Sequence, residues 1–340
     1  MKSKVIAVLG IAALALTGCA GSPEEPAGTD AAGERADALD LPEGWRHVVG
    51  ESDFSALSAE PALPATVTDG TGAEVEVADI SRIIVAGDGV ASTLGALGLA
   101  DKIYAAPEES TSPEGTGAPE RFELSQNTGT EGLLSLDGTL FIGDNTRRHG
   151  DVAEKFNEAG TAAVVLDDQQ PQTGKLQAVA DYVGAPEAGR ELVELVDGQL
   201  ESAKETVRDG AGKGTRIIQV TATGAGGQNS VAGAGTPGSE MIETLGFVSI
   251  GAESKLRGFS REFSDEGILA AEPDVIVMAE SDYEKWGGAD GLWEAFPTLQ
   301  QTPAGESGTV FVMPDRQLRY SGPEFGAGAE ALAEAVAELP

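Results

Sequence analysis

Apolar and polar positions along the chain fall into three regimes. An apolar run occupies 5–16, directly behind Lys2 and Lys4. It has the length of a signal-peptide core and is too short to cross a bilayer. Residues 20–63 carry low-complexity acidic sequence, beginning Ala-Gly-Ser-Pro-Glu-Glu-Pro. Such a stretch buries too little apolar surface to order itself, which predicts a flexible tether. Trp45 and His47 are expected to touch the folded body only weakly.

From residue 64 the pattern becomes regular. Residues 66–69 and 73–77 alternate with period two around Gly-Thr-Gly and predict a hairpin. Short β-rich runs follow at 82–86, 102–105, 139–142 and 162–166, separated by helical spacing at 89–97, 130–136 and 152–159. This alternation predicts a parallel, doubly wound sheet. Residues 175–208 break the rhythm, being helical with one interruption at Gly184-Ala185-Pro186. The piece 186–208 sets Leu192, Val193, Leu195, Val196 and Leu200 on one stripe, bracketed by Pro186 and Gly210. At its rise per residue it is a rod of about 35 Å. A second alternating set follows, with strands at 216–220, 274–278 and 309–312. Its helices lie at 239–245, 265–271, 289–296 and from 323 onward.

The expected fold class is therefore α/β: two Rossmann-like lobes joined by one long α-helix, with a ligand cleft between the lobes. The expected boundaries are 1–18 signal peptide, 19–63 acidic tether, 64–174 N lobe, 175–210 connecting helices and 211–340 C lobe. One rigid connector predicts only small hinge motion. Ligands of open parallel sheets sit beyond the carboxyl ends of the strands. The expected lining is then Asp88, 108–111, 144–149, 221–230, 255–261, 281–286 and 315–321.

Composition narrows the function. Twenty-two Lys and Arg face 56 Asp and Glu, a net charge of −34, so phosphate backbones and anionic headgroups are repelled and nucleic-acid binding is excluded. One cysteine and two histidines allow neither an internal disulfide nor a Cys/His zinc cluster. The chain lacks a Gly-x-Ser-x-Gly elbow, a Walker A sequence and His-Glu-x-x-His. The glycine-rich 223–227 lacks the acidic partner and helix entry of a nucleotide site. A binding protein is expected, not an enzyme.

The candidate ligand residues are cations and aromatic groups at strand ends. Asp144, Arg147, Arg148 and His149 follow a strand, and paired arginines suit an anionic ligand through their bidentate forks. A solvated basic loop in an acidic lobe is the competing reading. His149 is also a candidate metal ligand. In the C lobe Arg257 and Arg261, around Phe259, either clamp the other side of an anion or pair with Glu262 and Glu266. Tyr320, next to Arg319, is a second candidate for ferric iron, or an amphipathic lining residue. Tyr283 and Trp286 read as wall residues.

Several segments resemble known families. Leu16-Thr17-Gly18-Cys19 matches the box of bacterial lipoproteins, which implies cleavage before Cys19 and acylation of its sulfur. TVTDGTGAEVEV, SRIIVAGDGVASTLGALGLADKI and TEGLLSLDGTLFIGD resemble substrate-binding lipoproteins of ABC importers, the class with a helical backbone linker. GAGTPGSEMIETLG, LAAEPDVIVM and the stretch 287–324 are most similar to haem-binding proteins of actinobacterial haem importers. The resemblance covers about 64–340.

It implies a monomeric, membrane-anchored extracytoplasmic protein that delivers haem or a related iron-tetrapyrrole ligand to an ABC permease and ATPase. Haem would be cargo, not a catalytic cofactor. A ferric siderophore or a corrinoid is the alternative ligand, and a surface interaction protein with a degenerate cleft the alternative function. The family's N-lobe histidine falls on Gln126 here, and its C-lobe tyrosine and arginine fall on Thr221 and Thr223. Neither glutamine nor threonine suits ferric haem. Thr221 is kept as a ligand-contact candidate. For transporter docking the resemblance points to Glu243, with Glu240 as alternative; the matching N-lobe helix offers Ser92. Two solvated helix carboxylates are the plainer reading.

Overall fold

Two largely parallel sheets organise the chain, each formed where short β-branched runs meet helical sequence. The computed structural model describes residues 39–55, 57–123, 130–209, 212, 214–224, 228–260 and 263–340. After a short strand β1 (Arg46–His47) comes a hairpin of β2 (Ala65–Thr68) and β3 (Glu74–Val77). The N-lobe sheet then takes β4 (Ile83–Ala86), β5 (Ile103–Pro107), β6 (Glu120–Phe122), β7 (Leu140–Gly143) and β8 (Ala162–Val165). Its order is β6-β5-β4-β7-β8, with every pair parallel. Strands β4 and β7 are buried along their whole length, as expected of strands with both faces covered. The strand order reverses beside β4, so the ends of β4 and β7 open onto the crevice where ligands of such sheets bind.

The C lobe holds β9 (Arg216–Gly224), β10 (Gln228–Ala232), β11 (Val248–Ser249), β12 (Phe259–Ser260), β13 (Val275–Ala279) and β14 (Val310–Met313). The order is β1-β14-β13-β9-β10-β12, with β11 also on β9. Strands β1, β14, β13 and β9 run parallel, whereas β10 and β12 are antiparallel additions. The glycine-rich 223–227 thus joins two antiparallel strands, not a strand to a helix.

The long helix Pro186–Asp209 packs against helices Gln172–Tyr182 and Phe325–Ala337. Its buried line is Leu192, Val196, Leu200, Ala203 and Val207, at spacings of three and four. Each large side chain there contributes about 1.5–3 kcal/mol. Leu195, expected on this stripe, lies off it and is exposed.

The expected tether over 19–63 needs correction for its second half. Strand β1 adds to the edge of β14, with Arg46 opposite Phe311 and His47 opposite Val312. Trp45 packs edge-on against Tyr283 and Trp293, at centroid distances of 6.0 and 5.5 Å. The Gly50 N–H donates to Gln317 Oε1 at 3.0 Å, and Gln317 Nε2 donates back to the Gly50 carbonyl at 2.8 Å. The chain then passes to the N lobe, where the Ala59 N–H bonds the Leu97 carbonyl and the Ala62 N–H that of Gly184. Trp45 and Val48 supply the apolar surface, and the unpaired edge of β14 supplies backbone partners. The lobes are consequently joined twice, by this strap and by the long helix, not by one connector.

Candidate functional site

The two lobes meet along the carboxyl ends of their strands, and polar side chains fill the seam. On the N-lobe side Asp88 opens helix Asp88–Ala96, directly after β4. Its carboxylate accepts hydrogen bonds from the Ser110 hydroxyl, from the Thr111 N–H at 3.1 Å and from Ser112 Oγ at 2.6 Å. This fixes the loop after β5 and presents the Thr111 hydroxyl, which hydrogen-bonds the Tyr320 phenol of the C lobe. Burial, with Asp315 and Asp88 nearby, pushes the Tyr320 phenol well above its usual ionisation range. It stands here as a neutral hydrogen-bonding group.

A buried network closes the C-lobe side. Asp282, fully buried in the first turn of helix Glu280–Trp286, accepts from Thr221 Oγ1 at 2.5 Å, the Ala222 N–H at 2.8 Å and Thr223 Oγ1 at 2.8 Å. Arg319 Nη1 donates to both Asp282 oxygens, at 3.0 and 2.8 Å, and to Thr221 Oγ1 at 2.7 Å. The guanidinium lies 5.1 Å over the Phe259 ring. Thr221 is completely buried with its hydroxyl consumed, so it is corrected from ligand contact to a member of this network.

Helix geometry sorts the 144–149 segment. The expected strand-end loop is a helix start: Asn145 caps helix Thr146–Glu158 by accepting from the Arg148 N–H. Arg147 and Arg148, in the first turn, are exposed, with Arg148 Nη2 3.7 Å from Asp144 Oδ2. One residue on, His149 turns inward. It is 4% exposed, edge-on to Phe141, with Nδ1 3.1 Å from Asp144 Oδ1. His149 is therefore corrected from iron ligand to core residue. Asp144 itself backs onto Gly87, where a Cβ would fall 2.5 Å from Asp144 Oδ2.

The other candidates divide. Arg257 is exposed, whereas Arg261, Gln126 and Cys19 lie outside the described residues. Tyr283 is 7% exposed, donating to the Asp40 carbonyl at 2.6 Å under Trp45, so it is corrected from cleft wall to strap anchor. Trp286 donates to Asn229 Oδ1 at 2.9 Å. Glu243 is exposed on helix Pro237–Thr244. Glu240 is not free for docking: it accepts from the Gln172 N–H at 3.0 Å and Gln172 Nε2 at 2.9 Å, across the seam.

Sequence reasoning held Asp282 only as part of the lining 281–286, with no role given to it, and missed Gln172 and Lys175. Lys175 is 6% exposed, and burial holds its ammonium below its usual range despite Glu240, Asp168, Asp144 and Asp167 around it. A lysine on an apolar helix face was the available signal. Grooves of about 910 and 690 Å³ flank the β2–β3 hairpin and hold none of the candidate ligand residues. Among the described residues no group of three or more His, Cys, Asp or Glu is placed to hold a metal ion.

Two α/β lobes meet strand-end to strand-end around a polar seam, the place where open parallel sheets hold their ligands. The chain belongs to the periplasmic binding protein family, whose model matches residues 83–317. Membership makes it a solute-binding protein that works outside the cytoplasm. Among solved structures it is similar to the haem-binding protein HmuT, with 28% identity, 87% of this chain and 97% of that chain covered, and a TM-score of 0.72. It is similar to the periplasmic haem-binding protein RhuT from Roseiflexus sp. RS-1 in apo form, with 26% identity, 76% and 99% coverage and a TM-score of 0.67. The haem-binding protein HutB of Vibrio cholerae shares the fold, at 22% identity, 77% and 100% coverage and a TM-score of 0.63. No curated protein sequence matches this chain.

Proposed function

We propose that this protein is a lipid-anchored extracytoplasmic receptor that binds haem, or a related iron tetrapyrrole, between its lobes and delivers it to an ABC permease and ATPase. The observation that carries this reading is the similarity to HmuT over 87% of the chain. Exposed Arg147 and Arg148 on one lobe and Arg257 on the other support it, as partners for the propionates of the ligand. Of the two candidates for the iron, Tyr320 is the one at the seam. Binding through it would require breaking its bond to Thr111 and losing the phenolic proton. The exposed Glu243 is the docking carboxylate of the C lobe, acting on a permease arginine. The protein works as a monomer, tethered through the Cys19 lipid.

Titration of the full chain with hemin, followed at the Soret band, tests the ligand. A saturable one-to-one band shift is expected. A spectrum that stays that of free hemin overturns the haem reading and moves the search to ferric siderophores and corrinoids. Mass spectrometry of the mature N-terminus tests the anchor: a diacylated or triacylated Cys19 is expected, and an unmodified terminus elsewhere removes the membrane tether.

A further inference from the structure

Lys175 and Gln172 were not among the candidate ligand residues, yet they are among the most enclosed polar groups at the seam. Both sit in the first turn of helix Gln172–Tyr182, which belongs to the N lobe through Tyr182, whose hydroxyl donates to the Val165 carbonyl at 3.0 Å. Their partners belong to the C lobe. Gln172 uses its backbone N–H and its Nε2 to grip the two oxygens of Glu240 separately, at 3.0 and 2.9 Å. Lys175 Nζ reaches Ser321 Oγ at 3.4 Å. Close packing seals the same place: a Cβ on Gly89 would fall 2.7 Å from the Ser321 carbonyl oxygen, and one on Gly322 2.6 Å from Ser92 Oγ.

We propose that Gln172, Lys175, Glu240 and Ser321 form a latch that holds the two lobes together in the ligand-free chain, so that opening the cleft breaks the Gln172–Glu240 grip and exposes Lys175. A buried ammonium is costly to keep without paired charge. Lys175 is offset by carboxylates from both sides, Asp144, Asp167 and Asp168 from the N lobe and Glu240 from the C lobe. Removing the C-lobe carboxylate leaves the cation undercompensated only while the lobes are closed. The latch therefore sets how readily the cleft opens. The argument needs only a two-lobed binding protein and stands whether or not the ligand is haem.

Amine acylation of the full chain, read residue by residue by peptide mass spectrometry, reports the latch without any ligand. In the unaltered protein Lys175 is expected to react about tenfold or more slowly than exposed Lys285 on the C lobe. In Glu240→Ala, and separately in Gln172→Ala, its rate is expected to rise to within about twofold of Lys285. Circular dichroism and the rate at exposed Lys155 should stay unchanged, which separates lobe opening from unfolding. Two results overturn the proposal: Lys175 reacting as fast as Lys285 in the unaltered protein, or staying protected in both variants, which would mean that the N lobe buries it alone.

Discussion

Arg319 Nη1 stands 2.8 Å from Oδ2 and 3.0 Å from Oδ1 of Asp282, a carboxylate with no exposed surface. The pair ties the segment after β14 to the first turn of helix Glu280–Trp286, after β13. Removing one member of a buried pair strands the other charge, so Arg319→Met should lower unfolding stability by about 3–5 kcal/mol in urea titration. Replacing both, as Arg319→Met with Asp282→Leu, should cost less than the single change. A single-variant loss under about 1 kcal/mol would mean that water already reaches Asp282.

The arginines of helix Thr146–Glu158 carry the anion-contact reading. Arg147→Ala together with Arg148→Ala should weaken hemin binding by about 2–4 kcal/mol if they make charge-assisted bonds to carboxylates. Titration calorimetry decides it. Unchanged affinity would return both residues to a solvated surface, which their exposure also permits.

The strap predicts an effect far from any ligand. Trp45→Ala removes the edge-on contacts with Tyr283 and Trp293 and should cost about 1–3 kcal/mol, since Trp45 is only half-buried. Limited proteolysis should then cut within 40–55 while the two lobes stay intact. Unaltered resistance would show that β1 pairing with β14 holds the strap by itself.

Glu324 predicts a pH dependence. Burial raises its carboxyl above the usual range, with Glu114 adding to the rise and Arg316 opposing it. The folded state thus keeps this proton to higher pH than the unfolded chain does. Its stabilisation is complete below the ordinary glutamate value and is lost as pH rises through the raised one. Glu324→Gln stays uncharged, so its Tm advantage over the unaltered protein should be small near about pH 4 and grow toward about pH 8. Asp315, also raised by burial, acts in the same direction in both proteins and cancels from the comparison. Parallel Tm curves would contradict the raised Glu324 value.

Much of the architecture was legible because it rests on local periodicity. The hairpin, the parallel strands β4, β5, β7 and β8, and the long helix each carry their hydrophobic spacing within a short window. Strands β1, β6, β10, β11 and β12 were missed. Each is two to five residues long and takes its identity from a neighbour across the sheet, not from its own pattern.

The site divides in the same way. Sequence located the cations at strand ends, since a strand's end fixes which loop faces the crevice. It could not assign direction within a helix's first turn, where Arg147 and Arg148 point to solvent and His149, one residue later, points to the core. A rotation of about 100° per residue decides that, and it depends on where Asn145 places the cap. Nor could sequence pair Asp282 with Arg319 or Gln172 with Glu240, residues 37 and 68 positions apart. Asp282 meets Arg319 because neighbouring strands β13 and β14 end side by side, and Gln172 meets Glu240 because the two lobes come together; burial then makes each polar group find a partner from whichever element lies closest.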